Sequence, residues 1–382
     1  MIADTVRMEC YVEALRGAVS PGCTVLDIGT GTGIAAMIAC QFGAKCVYAV
    51  EPSNVLAVAS ELAAENGYDD RITFLKGIST ELTLPTLADV IVSDLRGVLP
   101  LFGHHIESIA DARARLLRPG GTMIPMRDLI WGALVQSTRL YHEVVGPWTQ
   151  HSRGLAMSAA KRREVNTWRK ARIQPTELLT LPKQWTAIDY GTVQSPNASG
   201  ALRWTCSDAG SAHGLALWFD TELASGLGFS NAPSEPRAIY GQAFFPFSAV
   251  LNVTPGDRVE IDVRADLVGD DYVWAWETRH VPAQLDSHRV TVLRQHSLNA
   301  LLLAPDELQR RSHRFVPTLD EDAHVDRLIL ASMDGHKSNG EIARVVQQAF
   351  PQRYPSWQDA LGRVSDWSAN LKAPAISSPA IV

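Results

Sequence analysis

Val25-Leu26-Asp27-Ile28-Gly29-Thr30-Gly31-Thr32-Gly33-Ile34 decides how this 382-residue chain folds. Its first four residues read as a short buried strand, and the three glycines as a turn that opens an apolar helix over residues 34–41. Working outward, residues 5–19 carry a helical rhythm that Pro21-Gly22 interrupts. Strands are expected at 46–50, 72–75 and 89–92, with helices at 56–66 and 103–117. Strand alternating with helix at this pitch predicts a parallel, doubly wound sheet. The turn Arg118-Pro119-Gly120-Gly121 closes that unit.

The pattern then changes. Residues 141–172 are polar and basic, with helical character from 158 to 172. After them come alternating segments at 213–219, 240–253, 259–266 and 272–277. Val259, Ile261 and Val263 interleave with Glu260, Asp262 and Arg264, a period-two strand with one wet face. Thr254-Pro255-Gly256-Asp257 suits a hairpin. Strands without intervening helices predict an antiparallel second domain. From residue 297 helices return: Ser338-x-x-Glu341 is a capping box, and Leu328, Ile329, Met333, Ile342, Val345 and Val346 supply apolar faces. The expected domains are 1–130, 131–296 and 297–382.

Composition narrows the function. Hydrophobic residues make up 46% and charged residues 20%, a globular balance, and the net charge of −6 gives no general attraction to nucleic acid or an anionic membrane. No apolar run approaches about 18 residues, and the charges in MIADTVRMEC argue against a signal peptide. Cys10, Cys23, Cys40, Cys46 and Cys206 contain no C-x-x-C pair and match no zinc template, so reduced thiols, a cytoplasmic setting and no metal are expected.

The glycine turn points to a ligand, because glycines let the backbone approach closely and the helix behind them presents its N-terminus. A dinucleotide pattern beginning at Gly29 would need glycine at position 34, which is Ile34. Asp27, before the first glycine, would repel a pyrophosphate but can accept a bond from an ammonium group. Glu51, at the end of the second expected strand, is placed for two ribose hydroxyls. Together these favour an adenosyl amino acid over a dinucleotide.

The motifs here resemble the protein arginine methyltransferase superfamily. The segments are MIADTVR at residues 1–7, VLDIGTGTGI, YAVEPS, FLKGISTELTLP and IVSDLRG, followed by RPGGTMIPMRD, HGLALWFDTEL and GFSNAPSEP. The resemblance runs from residue 1 to about 280. It implies a Rossmann-like domain that binds S-adenosylmethionine (SAM) and releases S-adenosylhomocysteine. A β-barrel domain follows, with a helical arm at about 141–172 that makes a homodimer. Carried over by position, Arg7 would bind the SAM carboxylate, Asp27 would lie by the methionine part, and Glu51 would hold the ribose. Ile78 and Ser79 would flank the adenine, while Thr80 stands where the family often has an acid. Gly29, Gly31, Thr32, Gly33, Pro52, Gly77 and Asp94 complete the expected cofactor shell. The family's helix before the first motif has no counterpart, so another segment is expected to cover SAM.

The acceptor side departs from the family. Gripping a planar guanidinium takes two carboxylates on one loop. In SDLRGVLPLFGHH the first is Asp94, the second position is Gly103, and Arg96 adds a positive charge. The family's threonine-histidine-tryptophan element falls on Ala238-Ile239-Tyr240. A divergent, bacterial-type member that has lost arginine activity is therefore expected. Its acceptor would be a small neutral or anionic metabolite, amino-acid-derived or aromatic, as in natural product biosynthesis, methylated on carbon, nitrogen or oxygen. Asp94 would orient the acceptor, His104 or His105 would take a proton, and Arg96 would bind a substrate carboxylate. Tyr240, Trp274 and Trp276 would line an aromatic pocket. The alternatives are a protein or peptide methyltransferase, residual arginine methylation included, and a non-catalytic SAM-binding scaffold. The C-terminal helices resemble small winged-helix or peptide-docking modules. Arg344, Gln347 and Gln348 in a mixed segment favour partner docking over nucleic acid.

Overall fold

The computed structural model describes residues 2–150, 153–283, 290–302 and 304–371. Met1 of the first motif lies outside them. The chain forms two compact units, residues 1–301 and 302–382.

In the first unit, α1 (Thr5–Ala18) precedes β1 (Thr24–Ile28), α2 (Ile34–Gln41), β2 (Cys46–Glu51), α3 (Leu56–Glu65), β3 (Ile72–Lys76), β4 (Ala88–Ser93), α4 (His105–Arg115) and β5 (Leu117–Ile124). The five strands form one parallel sheet in the order β3-β2-β1-β4-β5. Every residue of β1 is buried, as a central strand covered on both faces requires. The strand order reverses between β1 and β4, whose carboxyl ends hold Asp27 and Asp94, and ligands bind at such a switch point. The expected closing turn lies within β5. Pairing steps from Leu117 to Thr122 while β4 advances only from Ala88 to Val90, so the Pro-Gly-Gly stretch is looped out of the ladder.

The antiparallel region begins at β6 (Arg127–Val135). It continues through α5 (Thr138–Thr149), α6 (Ser158–Glu164), β7 (Arg169–Ala171), β8 (Lys183–Asp189), β9 (Ala198–Thr205), β10 (Gly210–Ala224), β11 (Leu227–Ser230), β12 (Gln242–Val253), β13 (Arg258–Val268), β14 (Asp271–Val281) and β15 (Thr291–His296). One sheet runs β7-β12-β10-β6-β8 with β11 on β10; the other runs β15-β14-β13-β9. The two make a barrel-like layer filled by Trp185, Phe245, Trp274 and Trp276, whose rings contact one another. This filling belongs to the same apolar cluster as Val25, Leu26 and Ile91 of the parallel sheet. The helix expected from 158 to 172 stops at Glu164. Residues 169–171 instead pair with β12, where an edge ladder outcompetes the helix propensity of a basic run.

The second unit contains α7 (Pro305–Arg310), α8 (Glu321–Ser332), α9 (Asn339–Ala349) and α10 (Trp357–Asn370) around Val325, Ile329, Ile342, Val346 and Val364. The expected capping box is present: Ser338 Oγ accepts from Glu341 N–H, and Glu341 Oε2 accepts from Ser338 N–H. Among the described residues no helix is long and apolar enough to cross a membrane.

Candidate active site

The glycine turn is shaped by its backbone. Gly29, Gly31 and Gly33 have φ of +73°, +54° and +80°, the left-handed region that side chains resist. Asp27 Oδ2 accepts from Thr30 Oγ1 (2.6 Å) and from Ala36 N–H (3.1 Å), which ties the turn to the first turn of α2. Its Oδ1 has no protein partner among the described residues. Burial pushes the Asp27 carboxyl up to about 6, against the two hydrogen bonds that favour the charged form.

Beside the turn opens a cavity of about 600 Å³, within the range of small-ligand sites. Arg7, Asp27, Gly29, Gly31, Thr32 and Asp94 all line it, with Tyr11, Ile34, Ile38 and Ser93 between them. Gly33 caps α2, Glu51 ends β2 with Pro52 after it, and Gly77, Ile78 and Ser79 follow β3, all outside the walls of this cavity. Glu51 accepts from the N–H groups of Gly31 and Ser53. The Ser93 hydroxyl, in the cavity wall, is buried without a hydrogen-bond partner, so polar capacity is left there for a ligand.

At the end of β4, Asp94 gathers long-range partners. Arg7 Nε donates to its Oδ2 at 2.5 Å, a second nitrogen of Arg7 pairs with the same oxygen, and Tyr240 OH donates to it at 2.6 Å. Arg96 Nε donates to Oδ1 at 3.0 Å. Burial works to raise the Asp94 carboxyl, but the Arg96 and Arg7 guanidiniums prevail and hold it below the usual carboxylate range. Asp94 is therefore an anion that orients N–H donors rather than a proton acceptor.

Arg96 is enclosed. Its Nη1 donates to Asp128 Oδ1 (3.0 Å) and Thr221 Oγ1 (2.6 Å), its Nη2 to Tyr11 OH (2.5 Å), and its guanidinium lies 5.3–6.0 Å from the ring centres of Tyr11, Phe219, Phe229 and Tyr240. With its side chain at 0% exposure, it cannot present its charge to a substrate carboxylate as expected. The charge is matched inside the protein instead. Asp128 continues to Tyr190, which meets His105 Nε2 at 2.9 Å.

Burial, with Arg96 adding to it, pushes His105 down to about 3, and His105 lines neither this cavity nor the next. His104 is half exposed and also outside both, bridging Glu107 (2.6 Å) and Asp270 (3.0 Å). Neither expected proton acceptor reaches the acceptor space. One is buried at the start of α4 against Tyr190 and the other is engaged by two acids.

A second cavity of about 360 Å³ is lined by Arg96, Gly97, Val98, Leu101 and Phe102 of the loop after β4. Trp168, Lys170, Ile239, Tyr240, Asp271, Tyr272 and Trp274 complete its wall. Tyr240 and Trp274 thus line an aromatic chamber as expected. Trp276 faces a different pocket, with β9 and β15. Sequence reasoning missed Tyr11, Asp128, Tyr190 and Thr221. Tyr11 sits four residues after Arg7 on one helical face, and Asp128 is an acid beside the apolar strand LIWGALV; both signals were readable.

A parallel sheet with its ligand cavity at the switch point, followed by a barrel, defines a Rossmann-like SAM-dependent methyltransferase. Residues 129–276 match the model of the arginine methyltransferase oligomerization subdomain, and residues 5–126 match that of the ribosomal protein L11 methyltransferase. Protein arginine N-methyltransferase 6 of Xenopus laevis is 32% identical over 235 residues, covering 57% of this chain and 68% of the relative. A probable protein arginine N-methyltransferase 6 of Arabidopsis thaliana is 30% identical over 233 residues, covering 59% of this chain and 53% of the relative. Among solved structures, Arabidopsis thaliana protein arginine methyltransferase 10 matches with TM-score 0.68 at 23% identity, over 78% of this chain and 96% of that one. A Trypanosoma brucei PRMT1 enzyme-prozyme heterotetrameric complex with AdoHcy matches with TM-score 0.68 at 21% identity, over 78% and 96%. The chain belongs to the protein arginine methyltransferase family, and its cofactor is SAM. It spans about half the length of the Arabidopsis relative and about two thirds of the Xenopus laevis one.

These relatives overturn the expectation of a small-molecule acceptor and of a role in natural product biosynthesis, since their names specify protein arginine N-methylation. The structure supplies the physical reason. Beside the missing second acid, Arg96 counted against a guanidinium as a like charge, and that charge is buried against Asp128 and Asp94.

Proposed function

We propose that this chain transfers the methyl group of SAM to a guanidine nitrogen of arginine in a protein. One observation carries the reading: Asp94 lines the cofactor cavity, while Arg96 and Tyr240, both bonded to it, line the aromatic chamber. A single carboxylate therefore stands where the two spaces meet.

Arg7, Asp27, Glu51, Ile78 and Ser79 are proposed to hold SAM, which supplies an electrophilic methyl when bound. Arg7 then serves two anions, the SAM carboxylate and Asp94. Transfer is an in-line displacement, so fixing the acceptor nitrogen and excluding water supply much of the acceleration. Asp94 fixes it by accepting N–H, Tyr240 and Arg96 fix Asp94, and the aromatic walls offer faces to the cation. The oligomerization subdomain supports a homodimer, and five free thiols support a reducing, cytoplasmic setting. The helical unit from 302 is proposed to dock a protein partner.

The test is transfer from methyl-labelled SAM to an arginine-containing peptide, followed by acid hydrolysis and amino-acid analysis. Label in methylarginine supports the reading. Label confined to another side chain, or to molecules below peptide size, would sink it.

A further inference from the structure

Position 103 of the acceptor loop is glycine, so the loop brings one acid where a guanidinium grip needs two. The barrel comes close at this point. Val268 pairs with Asp271 across a two-residue turn of Gly269 and Asp270, with φ of +63° at Gly269. A side chain begun at Gly103 would have its first carbon 4.0 Å from the carbonyl oxygen of Asp270. His104 fastens the loop to the same turn through Asp270 Oδ1 at 3.0 Å.

The next residue, Asp271, lines the chamber with Arg96, Phe102 and Tyr240 and is the one acid among the described residues of its wall. The two cations of that wall are already engaged. Arg96 is paired inside the protein, and Lys170 Nζ donates to the Ile239 carbonyl at 2.7 Å. Asp270 is taken by His104, whereas the Asp271 carboxylate has no hydrogen bond or ion pair among the described residues. Asp271 is therefore the one uncommitted carboxylate that the wall offers an acceptor, beside a Lys170 ammonium held by the Ile239 carbonyl, and it comes from β14 rather than from the loop.

We propose that Asp271 is the second carboxylate of the acceptor site, gripping the guanidinium that Asp94 orients and replacing the acid absent at Gly103. This rests on the arginine-acceptor reading above. A barrel residue then sets acceptor specificity, and His104 acts as a positioning residue that holds the hairpin against the loop.

The experiment measures binding of a fluorescent arginine peptide, and of its neutral citrulline counterpart, to the full chain saturated with S-adenosylhomocysteine. The parent protein should prefer arginine. Asp271→Asn should lower that preference about tenfold, the scale of one charge-assisted hydrogen bond. Asp271→Glu should retain most of it, with SAM affinity unchanged in both. An arginine preference unaltered in Asp271→Asn overturns the proposal while leaving the proposed function standing. A parent protein that neither prefers arginine over citrulline nor methylates it refutes that function, and this assignment with it.

Discussion

The two ends of strand that meet at the switch point are built differently. After β1, the turn is closed by neighbours: Asp27 reaches Thr30 three residues away and Ala36 nine away, and Gly31 reaches Glu51 twenty away. After β4, Asp94 is held from 87 residues away by Arg7 and from 146 by Tyr240, and Arg96 from 125 by Thr221. The cofactor half is a local device that any chain with the motif carries in one piece. The acceptor half exists only once the barrel has closed over it, which leaves it free to change partners while SAM binding stays constant.

The largest effect should come from breaking the acceptor half at its buried charge. Asp128→Ala leaves Arg96 with one fewer anion at 0% exposure and should cost about 3–5 kcal/mol in urea unfolding, the scale for an orphaned member of a buried pair. Replacing Arg96 and Asp128 together by Met and Leu should recover most of that loss. If the single substitution costs no more than a surface charge does, the enclosure of Arg96 is unimportant. Next, Asp94→Asn should lower methyl transfer to an arginine peptide about 100-fold by loosening acceptor alignment, with a much smaller change in SAM affinity. An equal fall in both would make Asp94 a cofactor residue alone and dissolve the comparison.

On the cofactor half the effects should be smaller. Gly31→Val forces a branched side chain to φ of +54° with nothing within 4 Å of its first new carbon, at roughly 1–2 kcal/mol, so SAM should bind about tenfold more weakly in calorimetry with arginine-peptide affinity unchanged. The mildest probe is pH. Asp27 loses its proton near 6, and a SAM ammonium favours the charged carboxylate, so affinity should rise as pH increases through about 6 and then level off. At one pH unit below, about a tenth of the carboxylates are ionised, giving roughly tenfold weaker binding. Asp27→Asn should flatten the curve. A slope that persists in that variant would place the titrating group elsewhere.

The same local-versus-distant division explains what the sequence disclosed. The glycine turn, Asp27 and the alternation of strand with helix were legible because local spacing and periodicity determine them. Asp94 was legible as the residue ending a buried strand. Arg96 was misread, since nothing near it in the chain shows that Asp128 and Thr221 will neutralise it. His105 looked like a proton acceptor because adjacency to the loop says nothing of burial, and α4 turns it inward onto Tyr190. The basic run at 169–171 became a strand because β12, seventy residues later, offered it a free edge.

The contacts of Arg96 also set a rule for recombining domains. It leaves the parallel-sheet loop and finds its counter-charge on β6 and a hydroxyl on β10, with a phenol from α1 closing the cage. A chimera that takes the first 126 residues from this chain and a barrel without an acid at the Asp128 position would inherit a buried cation with Asp94 as its one remaining anion. Such a graft succeeds only if Tyr11, Arg96, Asp128 and Thr221 travel as a set, so these four residues behave as one heritable character written across four separate stretches of the gene.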